Sequence, residues 1–190
     1  MKNSHIRHKM RRKRLQLPQK KLVRNSLRIT QNLLQLPFFT KAKIVASFHS
    51  QQGEPLTDLI NQRALSMNKM VLFPIVRNFT SRMNFGDNNA GQCLNKFKIL
   101  EPVQANKIPL WLFDLVLVPL TAFDNKGNRL GMGKGYYDAS FDFATRTKNR
   151  PLLIGIAHSF QKVDKIISHK YDVPLDGVVT EKNFKMFKSC

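Results

Sequence analysis

Apolar residues along this chain fall into short runs of strand length, separated by polar stretches in which apolar positions recur at helical spacing. Residues 44–48, 70–75, 115–118, 152–157 and 178–180 are five such runs, rich in Ile, Val, Leu and Phe. Proline closes two of them, with Pro74 expected to end the second and Pro119 the third. Between the runs, Val23, Leu27, Thr30 and Leu34 repeat at helical spacing until Pro37. A second helix is expected from Pro55, at its first turn, to about Met67, and a third from Tyr137 to about Thr147. A short helix carrying Val163 and Ile166 follows the run at 152–157. Alternation of strand and helix predicts an α/β fold: three layers, α/β/α, with a largely parallel sheet covered on both faces. The pattern reads as a single domain over 1–190, opening with a basic helical segment to about residue 36. Residues 77–107 are the least regular part; Gly86, Asn88, Asn89 and Gly91 suggest a loop there, and Met83 and Phe85 read as core more readily than as pocket lining.

The third apolar run leads into the most distinctive stretch, DLVLVPLTAFDNKGNRLGMGKGYYD, from Asp114 to Asp138. After the strand comes a polar turn (Asp124 to Asn128), then Arg129 and a loop with Gly131, Gly133 and Gly135 at every second position. Lys134 stands between the last two glycines, and Tyr136, Tyr137 and Asp138 open a helix. Glycines let backbone N–H groups approach an anion closely, and a lysine adds a full positive charge, so the order fits a phosphate cradle. It is not a P-loop, G-x-x-x-x-G-K-S/T, because the preceding glycine, Gly127, stands one place too early and residue 135 is glycine. It is not the dinucleotide fingerprint G-x-G-x-x-G either, the spacing here being G-x-G-x-G. A glycine-rich turn with an incidental lysine has the same composition.

Pro119, Phe123, Asp124, Gly127, Arg129, Leu130, Gly131, Gly133, Gly135, Tyr136, Tyr137 and Asp138 together resemble the nucleotide-binding loop of the 5-formyltetrahydrofolate cyclo-ligases, also called 5,10-methenyltetrahydrofolate synthetases. The resemblance extends from about Arg7 to Thr180. It implies ATP- and Mg²⁺-dependent cyclisation of 5-formyltetrahydrofolate to 5,10-methenyltetrahydrofolate, with release of ADP and phosphate. The implied route is phosphorylation of the formyl oxygen followed by attack of N10.

The same resemblance distributes roles. Arg129, Leu130, Gly131, Met132, Gly133, Lys134, Gly135, Tyr136 and Tyr137 would contact the nucleotide, with Lys134 and Arg129 as the catalytic cations. Asp138 and Asp172 would hold Mg²⁺. Glu54 and Tyr137 would meet the folate, Glu54 clamping the pterin. Read from the residues alone, Glu54 is either a helix-entry acid or an acceptor for two hydrogen bonds from an amino-pyrimidine edge. Asp172, before Val173-Pro174, is equally a turn residue. Family members begin with a Lys-x-x-Leu-Arg helix whose lysine and arginine meet ATP. Ile6-Arg7 matches its end, Asn3 occupies the lysine position, and Arg7 and Arg11 are the candidates for nucleotide contact.

Charge adds a second question. The formal net charge is +20, with 13 Lys or Arg and no acidic residue before Glu54, against 19 basic and 12 acidic residues from Glu54 onward. Such an N-terminus seeks an anion: nucleotide phosphates, a polyglutamate tail on the folate, nucleic acid or an anionic surface. A nucleic-acid-binding protein using RHKMRRKR is therefore a rival reading, though aromatics are not interleaved with the basic run. A kinase or ligase using the same loop on another acceptor is a second rival. Cys93 and Cys190 have no metal-ligand spacing and read as free thiols in a reducing cytoplasm. No apolar stretch follows the basic start, so no secretory signal is expected, and the apolar run at 108–123 is broken by Asp114 and two prolines, so no membrane span is expected either.

Overall fold

The computed structural model describes residues 2–76 and 81–187; the expectations for 77–80 and for Cys190 lie outside the described residues. The basic N-terminus is not a free arm. It forms α1 (Asn3–Leu15) and α2 (Gln19–Leu34), joined at Pro18, where a missing N–H costs no helical hydrogen bond. Of the expected α2 stripe, Thr30 is buried and Leu34 half-buried, but Val23 and Leu27 are exposed, and Leu22, Ile29 and Leu33, one position away, are buried. Polar residues complete the buried face. Ser26 donates to Leu22 O at 2.8 Å and accepts from Leu56 N at 2.9 Å, and Thr30 donates to Ser26 O at 3.0 Å, so both can be buried at no loss of hydrogen bonds.

Pro37 does more than stop α2, since it is the first residue of α3 (Pro37–Lys41). β1 (Ile44–Ala46) follows, shorter than expected. α4 (Asp58–Ser66) starts three residues after Pro55, because Ser50 Oγ accepts from Thr57 N at 2.9 Å and donates to Pro55 O at 2.7 Å, keeping 50–57 as a closed loop. β2 (Met70–Ile75) runs through Pro74; beyond Leu72 it no longer pairs with β1 and pairs only with β3 (Asn84–Gly86). The stretch expected as a loop also holds a hairpin of β4 (Gln92–Leu94) and β5 (Leu100–Pro102), outside the main sheet.

β6 (Leu115–Pro119) is followed by the hairpin β7 (Ala122–Phe123) and β8 (Arg129–Leu130). α5 (Tyr136–Phe141) ends early, passing into a 3₁₀ turn at Asp142–Thr145. β9 (Leu152–Ile156) comes next. Val163 and Ile166 are not helical, because their N–H groups are taken by the hairpin, Val163 N donating to Phe123 O at 2.8 Å and Ile166 N to Asp124 Oδ2 at 3.0 Å. β10 (Gly177–Val179) is not the last strand; β11 (Phe184–Met186) returns antiparallel beside it.

The sheet order is β11-β10-β9-β6-β1-β2-β3. Its five inner strands are parallel and both edges antiparallel. Alternation along β6 divides the core: Leu115 and Leu117 pack with Ile29, Leu33, Phe39 and Ile60 of α2, α3 and α4, while Val116 and Val118 pack with Phe85, Phe113 and Phe141 on the other face. A third cluster, Ile6, Met10, Ala122, Leu130 and Ile166, seats α1 on the β7–β8 hairpin. From β1 the chain goes first to β2 on one side and later to β6 on the other. The gap between β1 and β6 is therefore the topological switch point, whose carboxyl edge is the usual ligand site of such sheets.

Candidate active site

A cavity of about 740 Å³ opens at that edge, within the roughly 300–1,000 Å³ of ordinary small-molecule sites. Residues just beyond β1 (Phe48, His49, Glu54), at the end of β2 (Pro74, Val76) and beyond β6 (Leu120, Thr121) form its floor.

The β8–α5 loop is one wall. Gly133 and Gly135 have φ of +92° and +69°, a region that side chains disfavour, and a Cβ on Gly131 or Gly135 would meet nothing within 4 Å. This backbone is open toward the cavity. Arg7 reaches it from α1, Nε donating to Gly131 O at 2.9 Å. Lys134 is exposed and lines the cavity, as do Leu130, Met132 and Tyr136. Arg129 is more enclosed: its guanidinium donates to Val173 O and, at 2.8 Å, to Asp138 Oδ1, which also accepts from Val173 N at 3.0 Å. Two of its five donors are used this way. Asp172 Oδ2 accepts from His169 N at 2.8 Å, and Asp138 and Asp172 both line the cavity.

A second wall, continuous with the floor, is apolar, built from Phe48, Pro74, Val76, Met83, Phe97 and Ile99, with a single buried acid, Glu54. Met83 belongs to both core and lining, whereas Phe85 is core alone. Glu54 Oε1 accepts from Arg14 Nη1 at 3.0 Å and Oε2 from Gln51 N at 3.1 Å. Burial pushes the Glu54 carboxyl above its usual range, and the Arg14 charge opposes that shift. Tyr137 also lines the cavity, within electrostatic reach of both Glu54 and Arg129. Its hydroxyl is buried without a hydrogen-bond partner among the described residues, and burial holds its pKa well above the ordinary phenol value. His49 lies flat on Phe73, ring centroids 4.4 Å apart, and its pKa is lowered by burial.

Among the residues singled out in the sequence, Arg7, Glu54, Asp172 and Arg129 through Asp138 share this one cavity. Arg11 stands apart from its lining and donates to Gln52 Oε1 at 3.1 Å instead. Arg14, Asn3 and His49 were not anticipated. The first two had a signal: Asn3, Arg7 and Arg14 fall at i, i+4 and i+11, one face of a helix. Asn3 grips the backbone of Ile167, donating to its O at 2.7 Å and accepting from its N at 3.2 Å. His49, a single residue in a loop, had none.

The family model for 5-formyltetrahydrofolate cyclo-ligases matches residues 1–181. The chain belongs to the 5-formyltetrahydrofolate cyclo-ligase family. Relatives bearing that name include one from Haemophilus influenzae, 35% identical over 160 residues (80% of this chain, 82% of that protein), and one from Escherichia coli K12, 33% identical over 153 residues (78% and 83%). The NMR structure of an Aquifex aeolicus 5,10-methenyltetrahydrofolate synthetase superposes with a TM-score of 0.83 at 32% identity, covering 98% of this chain and 93% of that one. A Mycoplasma pneumoniae structure, 24% identical with a TM-score of 0.77, shares the fold.

Within the cyclo-ligase pattern, Asn3 at the lysine position is a local departure with a visible function. It ties the start of α1 to the segment that carries His169 and Asp172. Asp124, another residue of the pattern, is buried and structural, accepting from Lys126 N, Asn128 N, Asn128 Nδ2 and Ile166 N. Asp176, four residues after Asp172, pairs with Arg150 through two 2.6 Å hydrogen bonds. Among the described residues no three His, Cys, Asp or Glu cluster as a metal site, and no helix is long and apolar enough to cross a membrane.

Proposed function

We propose that this protein converts 5-formyltetrahydrofolate to 5,10-methenyltetrahydrofolate with consumption of ATP. The observation that carries the reading is that an open glycine wall with Arg7, Arg129 and Lys134 and an apolar wall with one buried carboxylate line a single cavity. The first suits a triphosphate. The second suits a pterin, whose rings favour apolar surfaces and whose amino-pyrimidine edge donates two parallel hydrogen bonds to a carboxylate.

The residues fit the nucleotide: a Cβ-free cradle at Gly131 and Gly135, with three cations around it, is chemistry for phosphate oxygens. They also fit Mg²⁺, which takes one or two carboxylates and leaves its other positions to water and phosphate. Asp138 and Asp172 would hold it, each having one carboxylate oxygen already engaged by the protein and the other available. A formyl oxygen is a poor leaving group, and ATP, when bound, supplies the phosphoryl group that makes it a good one. The protein's own residues then have to position and to neutralise charge. N–H groups of residues 131–135 and Arg7 hold the phosphates, Lys134 offsets charge on the transferring group, and Arg129 fixes Asp138. Glu54 orients the pterin. The Tyr137 hydroxyl, unpartnered beside both walls, is a further donor for the substrate. N10 closes the ring, losing its proton as the C–O bond to phosphate breaks.

Purified protein mixed with 5-formyltetrahydrofolate and Mg-ATP tests this through the near-ultraviolet absorbance of the methenyl product. A band that grows only with both ATP and Mg²⁺ supports the reading. A flat trace from folded, ATP-binding protein would assign the loop to another acceptor.

A further inference from the structure

Arg14 has no part in the reading above, and its surroundings are unusual. It is 1% exposed, at the last turn of α1. Nη1 donates both to Glu54 Oε1 at 3.0 Å and to Leu120 O at 3.2 Å, spanning the loops beyond β1 and β6 on the two sides of the switch point. Gly53, with φ of +73°, lies directly against it: a Cβ there would come within 2.5 Å of Arg14 O. The loop beyond β1 is thus packed against the backbone of Arg14, with Glu54 one residue further along meeting its guanidinium. Arg14 Nε is buried without a hydrogen-bond partner among the described residues, so the arginine is not optimised as a stabilising ion pair.

We propose that Arg14 is the positioning residue of the folate site, fixing the Glu54 carboxylate as the acceptor for the substrate's amino-pyrimidine edge. This rests on the assignment of Glu54 to the pterin. A bare carboxyl at this depth favours its neutral form, which offers one acceptor fewer and a proton where the substrate brings its own. Burial shifts Glu54 upward, and the Arg14 charge is the largest influence opposing it. Other titratable groups do not substitute for it. Tyr137 on α5, with Arg129 beyond it on β8, is pushed up and stays neutral. His158, under Gly53, and His49, in the same loop, are pushed down and stay neutral at pH 7. Arg7 lines the same cavity but donates to the glycine loop instead.

The test is the pH dependence of kcat/KM for folate and for ATP in wild type, Arg14→Gln, Arg14→Lys, Glu54→Gln and the Arg14→Gln/Glu54→Gln pair. Arg14→Gln is expected to raise the folate KM about tenfold or more at pH 7, the ATP KM staying put, and to regain most of that loss as pH rises and Glu54 ionises. Arg14→Lys, which keeps the charge, falls between wild type and Arg14→Gln. The pair is no worse than Glu54→Gln alone, because both changes remove the same acceptor. A pH-independent loss, a shift confined to the ATP KM, or additive losses in the pair would overturn the proposal. Should Arg14→Gln fail to fold, the pair decides: a folded pair with the folate KM of Glu54→Gln supports it, and a pair that also fails to fold, or has a displaced ATP KM, overturns it. A wild-type folate KM in Glu54→Gln would instead remove the pterin assignment on which the proposal stands.

Discussion

Arg7 Nε donates to the carbonyl of Gly131 at 2.9 Å, a hydrogen bond across 124 positions of sequence. It fastens the second turn of a basic helix to the glycine loop and brings a cation to that loop's open side. In Arg7→Ala both are lost. The ATP KM should rise about 10–100-fold, the range for a charge-assisted hydrogen bond worth roughly 1.5–3 kcal/mol, while the folate KM holds. Steady-state kinetics with each substrate varied in turn will read this.

Gly131→Ala separates backbone approach from fold. A methyl group there meets no atom within 4 Å, and Gly131 is not among the residues of positive φ, so the melting temperature should stay within a degree or two. Nucleotide affinity should nevertheless fall, because the methyl group stands where phosphate oxygens need the N–H groups. Calorimetric titration with a non-hydrolysable ATP analogue, beside thermal melting, checks both halves.

Lys134 is exposed and free to move toward a phosphoryl group. Removing its charge in Lys134→Ala is expected to lower kcat by about 100-fold, the low end of the range for groups that offset charge developing in a transition state, with folate binding unchanged. Unchanged turnover would take the lysine out of the chemistry.

Much of the fold could be read in advance. Strand runs at 115–118 and 152–157 lie within a residue of β6 and β9, since short continuous apolar runs rich in Val, Ile and Leu and bounded by polar turns have few alternatives. The glycine loop was legible because spacing, charge and order all survive as local sequence. What escaped depends on partners distant in the chain. In α2 the buried face differs from the expected stripe at Val23 and Leu27 because Ser26, a polar residue, is buried by hydrogen bonding to Leu22 and Leu56 rather than by apolarity. Val163 and Ile166 were expected in a helix because nothing local reveals that the β7–β8 hairpin claims their N–H groups. Arg14 stands within a run of basic residues; its spacing from Asn3 and Arg7 puts it on their face of α1, and only burial shows that this face is used, Arg12 and Lys13 being exposed.

His158 supplies a pH-dependent contribution to stability. It is fully buried, with Asn25 Nδ2 donating to Nδ1 (3.3 Å) and Nε2 donating to Gly53 O (3.2 Å), an arrangement that requires the neutral ring. Its pKa lies below the ordinary 6.5 because of burial, so the unfolded chain takes up a proton more readily than the folded one. Its contribution is present above pH 6.5 and is lost as pH falls below that value. Melting curves between pH 7.5 and 5.5 should show wild type losing stability on acidification more steeply than His158→Gln, which starts lower at pH 7.5.

The most direct test follows the formyl oxygen. If the two walls of the cavity bring that oxygen to the phosphoryl group, then 5-formyltetrahydrofolate carrying ¹⁸O in the formyl group must deliver its label to inorganic phosphate, one atom per turnover. Phosphorus NMR of the released phosphate reads the isotope shift. Label in phosphate, with ADP unlabelled, is the predicted result. Label released to water, with unlabelled phosphate, would mean that ATP hydrolysis and ring closure proceed without transfer to the formyl oxygen, and would contradict the account.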